Sequence, residues 1–223
     1  MSVIKDVFMV GTEKGGVGKS TITQNLVVIR ASLDRRVAVF DLDGQGTTTK
    51  WALRRAEHPE LSQVHVERWP REKRLTEEEF ADILGRLVDE YDDVFIDVGG
   101  KDSDGFRYGL AVAEKVIAPL IPSPADLDTV PDLHELLGTY TKKIDVRVVL
   151  NQADKRKRMT KSMLKQMEAF KDRLPLMKHL IASRESYKFA LAQGKGVTEL
   201  TGEWWDAAAA NEMKDTYLGA FGS

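Results

Sequence analysis

Short apolar runs alternate with longer stretches of helical periodicity along most of the chain. Residues 3–10, 37–42 and 94–98 read as strands, with 64–66, 115–121 and 146–150 as further ones. Between them, Ile22, Leu26, Val27 and Ile29 recur at helical spacing within residues 20–33, and residues 47–55 fit a short helix. Thr76 and Glu79 form a capping box ahead of Phe80, Ile83, Leu84, Leu87 and Val88, which predicts a helix to about Glu90. Residues 127–140 predict another helix, with Pro131 in its first turn. From Asp154 onward the pattern is helical, roughly over 160–173, 186–193 and 201–218. Continuous apolar strands separated by helices predict an α/β fold, a mostly parallel β-sheet covered by helices on both faces. No internal repeat or convincing linker interrupts it, so a single domain over residues 1–223 is expected.

Composition narrows the chemistry. The absence of cysteine excludes a disulfide framework, a thiolate zinc site and a cysteine-ligated iron–sulfur cluster. His58, His65, His134 and His179 are scattered without ligand spacing, and no Ser/His/Asp triad is persuasive. No run approaches the length of a membrane span and no secretory leader stands at the start, so a cytoplasmic location is expected.

Between the first strand and the first helix lies Gly11-Thr12-Glu13-Lys14-Gly15-Gly16-Val17-Gly18-Lys19-Ser20-Thr21. Glycines let successive backbone N–H groups turn toward phosphate oxygens, and a helix N-terminus adds positive potential. Lys19 has the reach for β- and γ-phosphates, and the Ser20 hydroxyl suits a Mg²⁺ ligand. Glu13 stands where the strict phosphate-loop pattern requires glycine, and an extra lysine, Lys14, precedes the glycine pair. The spacing by itself points to phosphate binding and nothing finer, the alternative being a glycine-rich turn with two solvated lysines.

KGGVGKST resembles the deviant Walker A box of the ParA/MinD family of P-loop ATPases. The resemblance implies that Gly15, Gly16, Val17, Gly18, Lys19, Ser20 and Thr21 cradle ATP. It also implies that Lys14 reaches across an ATP-dependent homodimer to the partner's phosphates. The segment Asp41-Leu42-Asp43-Gly44-Gln45 looks like the family's D-x-D-P-Q box with Gly44 in place of proline. By that resemblance Asp43 positions the attacking water and Asp41 supports the Mg²⁺ shell. Taken alone, two acids at a strand end suit a solvated turn equally well. Val94-Phe95-Ile96-Asp97 resembles the Walker B arrangement, by which Asp97 would hold Mg²⁺, although an acid at a strand exit is common by itself; Val98-Gly99-Gly100 follows here. Asp92, Asp93, Asp102 and Asp104 read as solvated. PLIPSPAD, ending at Asp126, resembles the loop after the next sheet strand in small ParA proteins, and Asn151 stands where the family meets adenine. An asparagine there also suits a cap or turn. The reaction implied is slow, partner-stimulated hydrolysis of ATP, with Lys14, Lys19 and Asp43 as the catalytic set.

The formal charge of −2 hides a segregation. Residues 151–195 hold twelve Lys/Arg against four Asp/Glu, so that segment is +8 and the rest −10. Lys155, Arg156, Lys157 and Arg158 are its densest part, and a charge run of this kind is commonly just a solvated helix entry. The ParA-like context makes those four residues, with Arg184 and Lys188, candidates for non-specific DNA contact. Ser183-Arg184-Glu185-Ser186-Tyr187 and Gly194-Lys195-Gly196-Val197 also resemble a late segment of small ParA and VirC1-like proteins. The function implied is partition of plasmid or chromosomal DNA by a nucleoid-associated switch working with a separate ParB-like or cargo-linked adaptor. Positioning of another cargo, a carboxysome or a conjugation complex, is the alternative. A membrane-bound MinD-type ATPase needs a basic apolar C-terminal helix, whereas the tail here has Lys214 against Glu203, Asp206, Glu212 and Asp215. A biosynthetic ligase of the same fold would lack the Lys14 signature.

Overall fold

The computed structural model describes residues 6–70, 72–100, 104–141 and 144–222. In chain order the elements are β1 (Asp6–Val10), α1 (Lys19–Ala31), β2 (Val37–Asp41), α2 (Thr47–Arg55), β3 (His65–Arg68), α3 (Glu77–Glu90), β4 (Asp93–Asp97) and α4 (Asp104–Val112). There follow β5 (Lys115–Leu120), α5 (Pro124–Leu127), α6 (Val130–Gly138), β6 (Asp145–Leu150), α7 (Arg158–Met167), β7 (Leu176–Leu180), α8 (Glu185–Ala192) and α9 (Ala207–Phe221). The strands form one seven-stranded sheet in the order β3-β2-β4-β1-β5-β6-β7, and every pairing is parallel.

The apolar strands are continuous because both faces are covered. Every residue of β2 and of β4 is buried. Alternate residues then divide between two cores. Met9, Phe40, Val94 and Ile96 pack on one face with Phe80, Leu84 and Leu87 of α3 and Phe106 and Leu110 of α4. Phe8, Val10, Val39 and Phe95 pack on the other with Ile22, Leu26 and Val27 of α1, Trp51 of α2, and Met213 of α9. The capping box starts α3 as expected: Thr76 Oγ1 accepts from Glu79 N at 3.2 Å, and Glu79 reaches back to Thr76 N.

Several elements differ from the sequence pattern. The strand expected from residue 3 is described from Asp6, and residues 3–5 lie outside the described residues. The helix expected over 127–140 is α6, with Pro131 in its first turn as expected, and the short α5 just before it was not foreseen. The gap left between the helices expected over 160–173 and 186–193 holds an edge strand, β7, whose Lys178 and His179 break the apolar signature. Helix α4 was not expected at all. Its Gly109 weakens the helical signal, yet a Cβ there would meet Met9 Sδ at 2.8 Å. Asp93 is not solvated but fully buried, gripped by Arg30 and Arg35 at the amino end of β4, away from the loops below. Asp102 lies outside the described residues.

Candidate nucleotide and metal site

Strand register assembles the site. Asp97 at the end of β4 is the register partner of Val10 in β1 on one side and of Asp41 in β2 on the other. The glycine-rich loop leaves β1 at Gly11, so loop and acids meet at the carboxyl edge of three adjacent strands. That edge is where open parallel sheets bind their ligands.

The loop's glycines are required by geometry at two points. Gly16 and Gly18 have φ of 77° and 94°, in the left-handed region that side chains avoid. A Cβ on Gly18 would also lie 2.1 Å from Asn151 Nδ2. Asn151 comes that close because its amide donates to the Val17 carbonyl at 2.7 Å, while its Oδ1 accepts from Gln152 N at 2.9 Å. The asparagine expected to read a base thus also ties β6 to the phosphate loop. Gln152 beside it is exposed, sits at φ 52°, and lines the cavities on both sides of the loop's end.

Lys19, the first residue of α1, is 7% exposed and donates to the Lys14 carbonyl at 2.5 Å. Burial lowers its pKa, opposed by the charges of Asp97 and Asp43. Lys14 is partly exposed, and its ammonium forms an ion pair with Asp126. Asp126 is buried at the start of α5, where Oδ1 also accepts from Ile121 N at 3.0 Å and Oδ2 from Ser123 Oγ at 2.5 Å. The sequence carried a sign of this acid in Ser-Pro-Ala-Asp, a helix start with a serine cap and proline in the first turn. Its partner 112 residues away was not visible in that pattern.

Asp43 is half-buried and faces a cavity of about 550 Å³ shared with Gly15, Gly16, Gly18, Lys19, Ser20, Thr21, Gln45, Thr47, Gly100 and Gln152. Asp41 is fully buried, and both its oxygens are committed: Oδ1 accepts from Asp43 N at 3.1 Å, and Oδ2 from Thr49 N and Oγ1 at 2.9 and 2.6 Å. It shapes the turn that carries Asp43, and burial raises its pKa. Asp97 is also fully buried. Its Oδ2 accepts from Thr48 Oγ1 at 2.6 Å, and its Oδ1 is a buried side-chain oxygen with no hydrogen-bond partner. Burial pushes its pKa up to about 7, helped by the charge of Asp41 and opposed by the Thr48 and Ser20 hydroxyls. An unpartnered carboxylate oxygen beside a serine hydroxyl is a hard-oxygen donor set that fits a magnesium ion. Beyond Asp97, Gly100 folds onto the phosphate loop so closely that a Cβ would meet Gly15 N at 2.6 Å.

A family model, the CobQ/CobB/MinD/ParA nucleotide binding domain, matches residues 8–197. The chain belongs to that family. Among its relatives in sequence, it is 25% identical over 169 residues to the septum site-determining protein MinD of Thermotoga maritima, covering 63% of this chain and 62% of the relative. It is 29% identical over 143 residues to protein virC1 of Rhizobium rhizogenes, covering 63% of this chain and 57% of the relative. The shared stretch therefore spans about three-fifths of these relatives' length. In fold it is similar to the McdA–ATP complex of Cyanothece, with a TM-score of 0.76 at 16% identity over 98% of this chain and 97% of the other. The matched span takes in the glycine-rich segment and six of the seven strands, from β2 to β7, with most of β1.

The basic segment lies on α7, β7 and α8. Lys155, Arg156, Lys157 and Arg158 are exposed at the entry to α7, with Arg156 paired to Asp154 at 2.9 Å. Lys188 is exposed on α8 beside Glu185. Arg184 is turned inward: its guanidinium bonds Glu212 Oε1 at 2.7 and 3.1 Å and lies 3.6 Å from Asp206. The tail helix α9 buries Ala209, Met213 and Ala220 in the core and leaves Leu218 exposed. Among the described residues, no helix is long and apolar enough to cross a membrane.

Proposed function

We propose that the chain is an ATP-driven switch. It dimerises on ATP, binds DNA without sequence preference, and slowly hydrolyses the nucleotide to partition plasmid or chromosomal DNA. The observation that carries the reading is the placement of Lys19, Ser20 and Asp43 around one cavity lined by the glycine-rich loop, with Lys14 next in sequence to its Gly15. The loop's backbone amides and the α1 N-terminus would hold the β- and γ-phosphates, and Lys19 would sit between them and Asp97. Ser20 and the free Oδ1 of Asp97 would hold Mg²⁺, which neutralises the charge that grows on the phosphates, with Asp41 behind them. Asp43 would orient the attacking water, and Lys14 would cross to the partner's nucleotide. Asn151 and Gln152 stand on the side where the base would lie.

The exposed Lys155, Lys157, Arg158 and Lys188 supply the DNA face. Phosphate contacts of this kind release counterions, so affinity falls steeply with salt. An adaptor protein would link the DNA-bound dimer to its cargo and stimulate hydrolysis, with the protein distributed over the nucleoid. The test is a DNA-retardation titration with ATP, ADP and no nucleotide at two salt concentrations. ATP-dependent, salt-sensitive retardation supports the switch. Indifference to nucleotide removes it, and no retardation at low salt removes DNA as the partner.

A further inference from the structure

Three consecutive threonines open α2, and each takes a separate task. Thr47 lines the phosphate cavity. Thr49 bonds Asp41 through its amide and hydroxyl. Thr48 turns the other way, under the sheet edge, and donates to Asp97 Oδ2 at 2.6 Å. The same Thr48 oxygen receives Gln24 Nε2 at 3.2 Å. Gln24, Thr48 and Asp97 are all buried, at 1%, 0% and 0% exposure.

The direction of these bonds is fixed by hydrogen count. A threonine hydroxyl has one hydrogen, and a glutamine amide nitrogen can only donate. With Gln24 donating to the Thr48 oxygen, the Thr48 hydrogen must point to Asp97. Oδ2 is thereby held as an acceptor, and Oδ1 becomes the oxygen left for another partner. Gln24 lies one helical turn beyond Ser20 on α1, so the two share a helix face. One face of α1 therefore carries both the candidate metal hydroxyl and the first donor of this chain of bonds.

We propose that Gln24 and Thr48 act as a relay that orients the Asp97 carboxylate for a divalent cation, with Thr48 the positioning residue. This rests on the reading of Ser20 and Asp97 as the Mg²⁺ holders. Without the relay, the carboxylate can rotate about its last torsion and spend Oδ1 elsewhere. Outer-sphere partners of this kind typically govern about 10- to 100-fold of metal affinity.

The test uses Mn²⁺ as the probe, titrated into the ADP-loaded full chain and followed by the electron paramagnetic resonance of free Mn²⁺. ADP affinity in EDTA is measured alongside by calorimetry. Thr48→Val should weaken Mn²⁺ binding by about 10- to 100-fold and leave metal-free ADP affinity within about twofold of the parent. Thr48→Ser keeps the donor and should recover most of the loss. Gln24→Met frees the hydroxyl to rotate and should cost less than Thr48→Val. Unchanged Mn²⁺ affinity in Thr48→Val, with the affinity lost in Asp97→Asn, overturns the relay while the metal site stands. Wild-type Mn²⁺ affinity in Asp97→Asn overturns the metal site and the relay together. Equal losses in the serine and valine variants, or a parallel fall in metal-free ADP affinity, reduce Thr48 to packing and also overturn the relay.

Discussion

In this structure Lys14 is held by Asp126 within its own chain, whereas the proposed dimer needs it at the partner's phosphates. Asp126→Asn separates the two states with little change of shape. The asparagine can keep the bond from Ile121 N and the contact with Ser123, so α5 should stay in place. Two unit charges about 3 Å apart attract by roughly 5 kcal/mol at an effective dielectric near 20. Desolvation of the buried carboxylate and the partial exposure of Lys14 leave a net of about 1–2 kcal/mol. Each dimer breaks two such pairs, so the substitution removes about 2–4 kcal/mol of opposition. With the asparagine oxygen kept by Ile121 N, its amide nitrogen faces Lys14 and cannot accept, and even the lower end of that range is a dimer tighter by roughly 30-fold. The measurement is sedimentation equilibrium with ATP and Mg²⁺ in the Asp43→Ala background, where the proposed mechanism makes hydrolysis slow. An unchanged or weaker dimer constant, at an unaltered melting temperature, would refute the argument that Asp126 opposes dimerisation.

Four other outcomes follow from the geometry. Gly100→Ala drives a Cβ to within 2.6 Å of Gly15 N and should weaken nucleotide binding at least about tenfold in a calorimetric titration. Gly99→Ala, whose Cβ would find nothing nearer than 3.6 Å, is the control and should bind normally. Arg184→Ala should act on stability, removing charge-assisted bonds to Glu212 worth about 1.5–3 kcal/mol, a melting drop of roughly 3–12 °C. Replacing Lys155, Lys157 and Arg158 with alanine should instead flatten the salt dependence of DNA retardation at constant melting temperature. The last concerns Asp97 in EDTA. Its folded pKa of about 7 lies above the unfolded carboxylate value, so its protonated form stabilises the fold and that contribution is lost as pH rises through about 7. The stability of the parent minus that of Asp97→Asn, from urea melts at pH 6 and pH 8, should therefore be lower at pH 8. A difference that rises with pH would contradict the burial argument.

Much of this arrangement was readable in the sequence because it is local. The glycine-rich loop lies within eleven consecutive residues, and Asp41, Asp43 and Asp97 each end an apolar run whose place at the sheet edge follows from parallel topology. What escaped depends on contacts far apart along the chain. Gln24, Thr48 and Asp97 come from three elements, and no spacing rule links them. The closeness of Gly100 to Gly15 is set by the path of a loop. Strand β7 was hidden because an edge strand is covered less evenly, so its Lys178 is exposed and its apolar pattern is broken. Arg184 lies in a basic stretch by sequence, but acids on α9 claim it.

Helix α2 is fastened at both ends. Thr48 and Thr49 tie its first turn to the acids of β4 and β2. At its last residue, the fully buried Arg55 grips Glu199 with two bonds of 2.8 and 2.9 Å and reaches the Gly194 carbonyl at 3.1 Å. Nine residues of helix span about 13 Å. The loop carrying Asp43 and the segment that closes α8 are therefore joined by a stiff strut. A shift of either end is passed along it as a displacement, and the two regions keep a common position without sharing a single side chain.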